Sequence, residues 1–259
     1  VLLGEVWEDA VTKVSYGERR QYALGDALDS VMNYPLRDGL VTFLTGRSTA
    51  RALSDLLLSQ RLNYPRPLYY ALMNLTASHD VARTRSALAL DFDPRSRTRA
   101  ELAALEITDA MAARGAQLQV LAAAVQFWLP GIPSIYYGDE TGMEGFEDPF
   151  NRRTYPWGHE DTALLDWFRT LGRLRAERES LQSGGITYPL AAGRVLCFAR
   201  RAGDEVSLCA VNAGAESTPV DLPWAAPLAH DALSGQSFLA EGGRLHITLA
   251  PYNALLLTE

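Results

Sequence analysis

Between Ala116 and Tyr137 the chain is apolar almost without a break, and no other stretch limits its fold so strongly. Leu118, Val120, Leu121, Ala122, Val125, Phe127 and Trp128 leave little polar face on the helix predicted from Ala116 to Leu129, so that helix is buried. Pro130-Gly131 ends it. Ile132-Pro133-Ser134-Ile135-Tyr136-Tyr137 follows as a strand, again without polar alternation. A strand of this kind is covered on both faces, as in a parallel sheet layered with helices.

The same texture recurs upstream. Val1-Leu2-Leu3-Gly4 runs into Glu5, and Ser30-Val31-Met32-Asn33 forms a second short strand. Tyr70-Ala71-Leu72-Met73-Asn74-Leu75 is a third, ending at Ser78-His79-Asp80. Between these strands, Glu8–Asp29 is polar and punctuated by glycine, which predicts a long loop. Pro35 opens a helix through Leu44. Ser48-Thr49 caps another, with Leu53, Leu56, Leu57 and Gln60 at helical spacing, and Pro65 and Pro67 break it. Further helices are expected over Arg99–Ala113 and Thr162–Glu177. Strands alternating with helices imply parallel βα units, about four of them where a closed eight-stranded barrel takes roughly 250 residues. Beyond Ser183-Gly184-Gly185 short β-rich runs appear at Val195–Arg200, Val206–Val211, Arg244–Leu249 and Ala254–Leu257. They predict an antiparallel sandwich or barrel, so the expected division is residues 1–180 and 181–259.

A chain of 259 residues with 47% hydrophobic content can bury a large core. Its formal charge of −7 argues against nucleic acid or an anionic membrane as partner. No apolar run reaches the about 18 residues of a membrane span. Cys197 and Cys209 flank a hairpin expected at Gly203-Asp204 and are read as two packed thiols, although they could face each other across it. The setting stays open, with the cytoplasm favoured. Asn74-Leu75-Thr76 matches a glycosylation sequon but falls in a strand expected to be buried.

Three strand ends carry polar groups: Glu5, His79-Asp80 and Asp139-Glu140. In a parallel barrel all strand C-termini share one face, so groups distant in sequence converge there. Two carboxylates across a cleft suit acid-assisted bond cleavage, one protonated to donate to a leaving oxygen, one ionised to stabilise positive charge at carbon. The plainer reading of Glu5 is a carboxylate capping a strand beside solvent. His79 suits donation to substrate hydroxyls better than solitary metal ligation, because no HExxH or CxxC spacing accompanies it. Ser78 points away from His79 on a strand, which disfavours a nucleophilic serine. The loop Asp148-Pro149-Phe150-Asn151-Arg152-Arg153-Thr154-Tyr155-Pro156-Trp157 joins charged pairs to aromatic plates, a combination that suits sugars. It would equally suit a loop packed through its aromatics.

Gly4-Glu5-Val6-Trp7, Asn74–Asp80, Ile132–Glu140 and Asp148–Arg153 follow one another in the order of the α-amylase family. The whole resembles its neopullulanase, cyclomaltodextrinase and maltogenic amylase branch over roughly residues 1–180. The resemblance implies the second half, strands five to eight, of a (β/α)8 barrel followed by an antiparallel β-sandwich. It implies retaining hydrolysis or transfer at α-1,4, and in some members α-1,6, glucosidic bonds of an α-glucan oligosaccharide. Glu5 matches the general acid/base and Asp80 the carboxylate that holds the sugar ring and stabilises the transition state. His79 matches a donor to that ring's hydroxyls, Asp148 and Arg152 bind sugars on the non-reducing side, and Trp7 lies near the acceptor side. Ala77 stands where a glycine is usual, and Val81-Ala82 replace a Thr-Pro-like pair; neither change removes a reactive group.

The family's nucleophile is an aspartate on the fourth strand, which the resemblance puts ahead of Val1. The expectation is therefore a chain that supplies the acid but not the nucleophile, is inactive alone, and pairs with an N-terminal half-barrel or forms a homodimer through its open face. No metal or cofactor is expected, since no oxygen-rich cage is legible. The competing expectation is a sugar-binding or scaffold fragment without catalysis.

Overall fold

The computed structural model describes residues 1–25 and 27–259. In chain order, β1 (Leu3–Gly4) is followed by a small hairpin of β2 (Val14–Ser15) and β3 (Glu18–Arg19), then β4 (Ser30–Val31). Next come α1 (Tyr34–Thr45), α2 (Ala50–Asn63), α3 (Arg66–Ala71), β5 (Met73–Leu75), α4 (Thr84–Ala89), α5 (Arg99–Ala103) and α6 (Asp109–Trp128). β6 (Ile132–Ser134), α7 (Thr162–Glu177) and α8 (Glu179–Gln182) complete this part. The remainder is strand only: β7 (Gly185–Ala192), β8 (Val195–Ala202), β9 (Glu205–Asn212), β10 (Thr218–Pro223), β11 (Leu228–Asp231), β12 (Ser237–Leu239), β13 (Arg244–Leu249) and β14 (Asn253–Thr258).

β1 pairs in parallel with β4, a parallel bridge joins Met32 to Met73, and β5 pairs in parallel with β6. The four strands thus form one short parallel row in sequence order, with their C-terminal ends on one side. Polar side chains tie the row together from within. Asn33 bonds Asn74 at 3.0 Å and Gln60 at 2.6 Å, Asn74 donates to the Pro130 carbonyl, and Gln126 bridges the carbonyls of Asn74 and Ser134. Buried amides are tolerated here because their donors find carbonyls. Asn74 is fully buried, which removes the sequon from solvent. Gly131 turns the chain from α6 into β6 at φ +108°, where a Cβ would meet the Asn74 amide and the Leu72 carbonyl below 3 Å.

From Gly185 onward the sheet is antiparallel, in the order β12-β11-β14-β9-β8-β7, with the ribbon β10-β13 packed on one face through Val220, Leu222, Leu245, Ile247 and Leu249. The other face, carrying Leu196, Phe198, Cys209, Val211 and Leu256, joins the cluster formed by α1, α2, α6 and α7. Helical and β parts therefore share one core. Cys197 and Cys209 are free thiols on opposite faces of adjacent strands, because Cys209 stands across from Phe198 and Cys197 from Ala210.

Several elements differ from the sequence expectation. Pro65 and Pro67 do not only end α2: they sit in the opening turn of α3, where a missing N–H costs nothing, so Tyr70-Ala71 are helical and β5 starts only at Met73. The Ile132–Tyr137 strand is paired only to Ser134. The Arg99–Ala113 helix is two elements, because Thr108 accepts from Met111 N and begins α6 afresh. The Glu8–Asp29 loop contains the β2–β3 hairpin, and Asp26 within it lies outside the described residues. β7, β10, β11 and β12 have no counterpart among the expected strands. No helix of the described residues is long and apolar enough to cross a membrane.

Candidate active site

The C-terminal ends of β1 and β5 carry the polar groups. Glu5 follows β1 directly, and His79 and Asp80 occupy the tight turn after β5, closed by a bridge between Ser78 and Val81. One ligand atom each from Glu5, His79 and Asp80 lies within 4.8 Å of the others, although 74 positions separate Glu5 from His79. β4 lies between their strands, and Tyr34, which opens α1 just after it, reaches into the gap. The Tyr34 hydroxyl donates to Glu5 Oε1 at 3.3 Å and shares a hydrogen bond with Ser78 Oγ at 3.0 Å. Burial, reinforced by the nearby Glu5 charge, pushes the Tyr34 phenol up to about 12, so it remains a donor. Trp7 stacks on the Tyr34 ring at 4.1 Å and 5°, leaving its other face to solvent at 41% exposure.

Asp80 stands between an imidazole and a guanidinium. His79 Nε2 is 3.2 Å from one of its oxygens and Arg152 3.6 Å from the other. Arg152 also reaches Asp148 at 2.7 Å, so Asp80, Arg152 and Asp148 form a chain of charges along the rim, each roughly a third to a half exposed. The imidazole of His79, the carboxylate oxygens of Asp80 and the donors of Arg152 are thus open to a neutral ligand rich in hydroxyls. Glu5, His79, Asp80, Trp7, Asp148 and Arg152 all lie on this side of the molecule or are linked to it by these contacts.

Three further residues build the site, and local pattern does not mark them out. Asn151 is fully buried, and its amide donates to the carbonyls of Ser78, His79 and Val81 at 2.9–3.0 Å, fixing the turn that carries His79 and Asp80. Arg83, also fully buried, donates to the carbonyls of Asn151 (2.9 Å) and Tyr137 (2.7 Å) and to Asp139 (3.2 Å). Tyr34 is the third. The only local signal is the density of polar residues in Asp148–Arg153, because a buried amide or guanidinium acts through partners that the sequence does not reveal.

Asp139 corrects an expectation. It is 2% exposed and sits beneath the rim, accepting from Thr84 at 2.6 Å and pairing with Arg83, so the third strand end contributes support and not a group facing a ligand. Burial raises its carboxyl to about 6 against the pull of Thr84 and Arg83. Glu5, His79 and Asp80 are also the one cluster among the described residues with metal-ligand spacing; two carboxylates and one half-exposed imidazole with Arg152 already beside Asp80 make a poor cation cage.

Comparison with known proteins gives this geometry its context. The model of the maltogenic amylase C-terminal domain matches residues 190–256. The amylopullulanase of Thermoanaerobacter thermohydrosulfuricus is 30% identical across 99% of this chain and 18% of its own length. The cyclomaltodextrinase of Geobacillus thermopakistaniensis (strain MAS1) is 29% identical across 98% of this chain and 39% of its own length. Among solved structures, the cyclic α-maltosyl-(1→6)-maltose hydrolase of Arthrobacter globiformis matches with a TM-score of 0.73 at 26% identity, covering 99% of this chain and 49% of that one. The chain therefore spans well under half the length of these curated relatives. A matching C-terminal domain, relatives of one kind along nearly the whole chain and a shared fold agree: the chain belongs to the α-amylase family of glycoside hydrolases.

Proposed function

We propose that this chain carries the acid/base and sugar-holding part of a retaining α-glucan hydrolase. The observation that carries the reading is the gathering of Glu5, His79 and Asp80 within 4.8 Å at the ends of two strands separated by one other. In it, Glu5 protonates the glycosidic oxygen of the leaving sugar and then, as carboxylate, draws the proton from the water that releases the product. Tyr34 orients Glu5 by donating to one of its oxygens. Asp80 and His79 grip the hydroxyls of the reacting glucose, and the Asp80 charge offsets the positive character developing at its anomeric carbon. Arg152 and Asp148 hold the neighbouring sugar, and the open face of Trp7 takes the sugar on the other side of the broken bond. Bonds of the α-1,4 type, with α-1,6 as an extension, in maltodextrins, cyclodextrins or pullulan are the proposed targets.

Double displacement needs a second carboxylate about 5–5.5 Å from the acid. In this reading it comes from sequence outside the 259 residues, and the parallel row β1-β4-β5-β6 is strands five to eight of a (β/α)8 barrel, with residues 1–180 its half and 181–259 a β-sandwich. The exposed apolar side chains at the two edges of the row, Leu2 and Leu3 beside β1 and Ile132, Ile135 and Tyr137 at β6, support pairing with that other half, or with a second copy in its absence. The test is complementation. Maltotriose hydrolysis should be at background with the chain alone and return when a polypeptide supplying the first half of the barrel is added, and Glu5→Gln should abolish the recovered activity. Hydrolysis by the chain alone at ordinary enzyme rates, or recovery that survives Glu5→Gln, refutes the reading.

A further inference from the structure

A second concave site lies on the flank where α6 and α7 meet the C-terminal sheet, and none of its lining residues belongs to the Glu5–Asp80 cluster. The cleft encloses about 360 Å³, and its walls include Trp167, Ser234, Gln236, Tyr252 and Asn253. That volume is at the lower end for ligand sites and suits one or two hexose rings. The Trp167 ring is fixed, since its Nε1 donates to the Val120 carbonyl at 3.0 Å. Tyr252 is one of two non-glycine residues with positive φ among the described residues (48°), and its amide is held by the Gly214 carbonyl. A tyrosine kept in that uncommon backbone state at the mouth of a cleft invites a functional explanation.

The polar groups divide in two. Asp231 is fully engaged, accepting from the Ser234 hydroxyl at 2.6 Å and from the Leu256 amide at 3.0 Å, so it shapes the loop. Gln236 is exposed, and Asn253 Oδ1 has no donor among the described residues. A buried amide oxygen without a donor and an exposed amide, beside a fixed indole and a tyrosine, match a ligand with apolar C–H faces and hydroxyl edges. Among the described residues no lysine, arginine or histidine lines the cleft, which disfavours phosphates and other anions. The Trp167 and Val120 wall is shared with a groove of about 410 Å³ that runs on to the Arg85–Asp161 ion pair and Gln117, so a linear chain has room to continue.

We propose that this cleft is a non-catalytic holding site for α-glucan, a place where a neighbouring stretch of the polymer rests while another part lies at Glu5. The proposal rests on the α-glucan reading above. Its test is migration of the full chain in native gels containing amylopectin, with calorimetry against maltoheptaose. A His79→Gln/Asp80→Asn chain, weakened at the rim, should keep retardation within about twofold of the unsubstituted chain. Adding Gln236→Ala/Asn253→Ala to it should weaken binding at least fivefold, with an unchanged urea midpoint showing that the fold is intact; Trp167→Phe, which keeps an aromatic ring in the wall, should weaken it in the same direction. Retardation unaffected by Gln236→Ala/Asn253→Ala overturns the cleft, as does retardation lost completely in His79→Gln/Asp80→Asn. In the second case the sugar reading of the rim still stands. Failed complementation with retained, cleft-dependent retardation has the opposite meaning: the catalytic reading falls and the holding site stands.

Discussion

Arg83 and Arg152 help build the same site yet live under different rules. Arg152 is 46% exposed, and its ion-pair partners among the described residues are two carboxylates, Asp80 and Asp148. Arg83 has no exposure; its Nε and Nη1 donate to two backbone carbonyls and one buried carboxylate, while Nη2 meets no acceptor among the described residues. Exposed pairs contribute little to stability and can be exchanged for ligand contacts at small cost. A buried guanidinium cannot be exchanged, since each lost partner leaves a charge without compensation. The site is thus two layers, a rim able to regroup around a sugar and a floor that holds the rim in place. The joint between helices and C-terminal sheet repeats the floor's chemistry: Arg175 donates to the carbonyls of Phe127, Leu129 and Gly131, and Arg200 to those of Trp128 and Gly184. The cations sit where α6 ends, matching the negative end of the helix dipole.

The contrast breaks first if the floor proves dispensable. Arg83→Met should cost about 3–5 kcal/mol in urea unfolding, because it strands Asp139. Arg83→Met/Asp139→Asn should cost less than that single change, since no buried charge remains. Equal costs would mean that the pair contributes nothing beyond packing. The same pair sets a pH dependence. The folded-state pKa of Asp139, about 6, lies above its ordinary value of 3.8, so the folded state holds the proton more tightly. Stability from this group is therefore fully present below about pH 4 and lost as the pH rises through about 6. Comparing urea midpoints at about pH 4.5 and about pH 7 in the parent and in Asp139→Asn isolates it: the parent should lose more of its stability over that interval than the variant does.

Next in size is Asn151→Ala, which removes the amide that donates to three carbonyls of the His79–Asp80 turn. A cost of about 2–3 kcal/mol is expected from unmet buried acceptors. Faster amide exchange confined to Ser78–Val81 would sharpen the assignment of Asn151 as a positioning residue, whereas exchange unchanged there would break it.

How far the sequence foretells this molecule follows the same division. The run into Glu5 and the run into His79-Asp80 can be read because a strand without polar alternation needs cover on both sides, and its end is where the rim lies. α7 can be read to the residue, since Asp161 caps it and its apolar positions recur on one face. α3 cannot, because Pro65 and Pro67 look like breakers until their place in a first helical turn is known. β11 carries one large apolar residue and β12 is three residues long, too short to show a period, so β11 is placed by its pairing with β14 and β12 by its pairing with β11. The floor is hidden for a deeper reason: Arg83, Asn151 and Asp139 act through bonds spanning 54 to 73 residues, and nothing local distinguishes them from solvated polar residues.

The smallest effect is the most diagnostic of the rim. Asp148→Asn removes one carboxylate from Arg152 at a site 45% exposed, and exposed pairs of this kind contribute about 0–1 kcal/mol. The urea midpoint should hardly move, and raising the salt from about 0.05 to about 0.5 M (roughly a threefold shorter screening length) should reduce the difference further. Arg152 would then lean on Asp80 alone, at 3.6 Å in the present arrangement, and draw it away from His79. Maltooligosaccharide affinity in the complemented enzyme should therefore fall severalfold while the fold is unaffected. A stability loss as large as that of Asn151→Ala would place Asp148 in the floor, and the distinction between the two arginines would no longer describe this site.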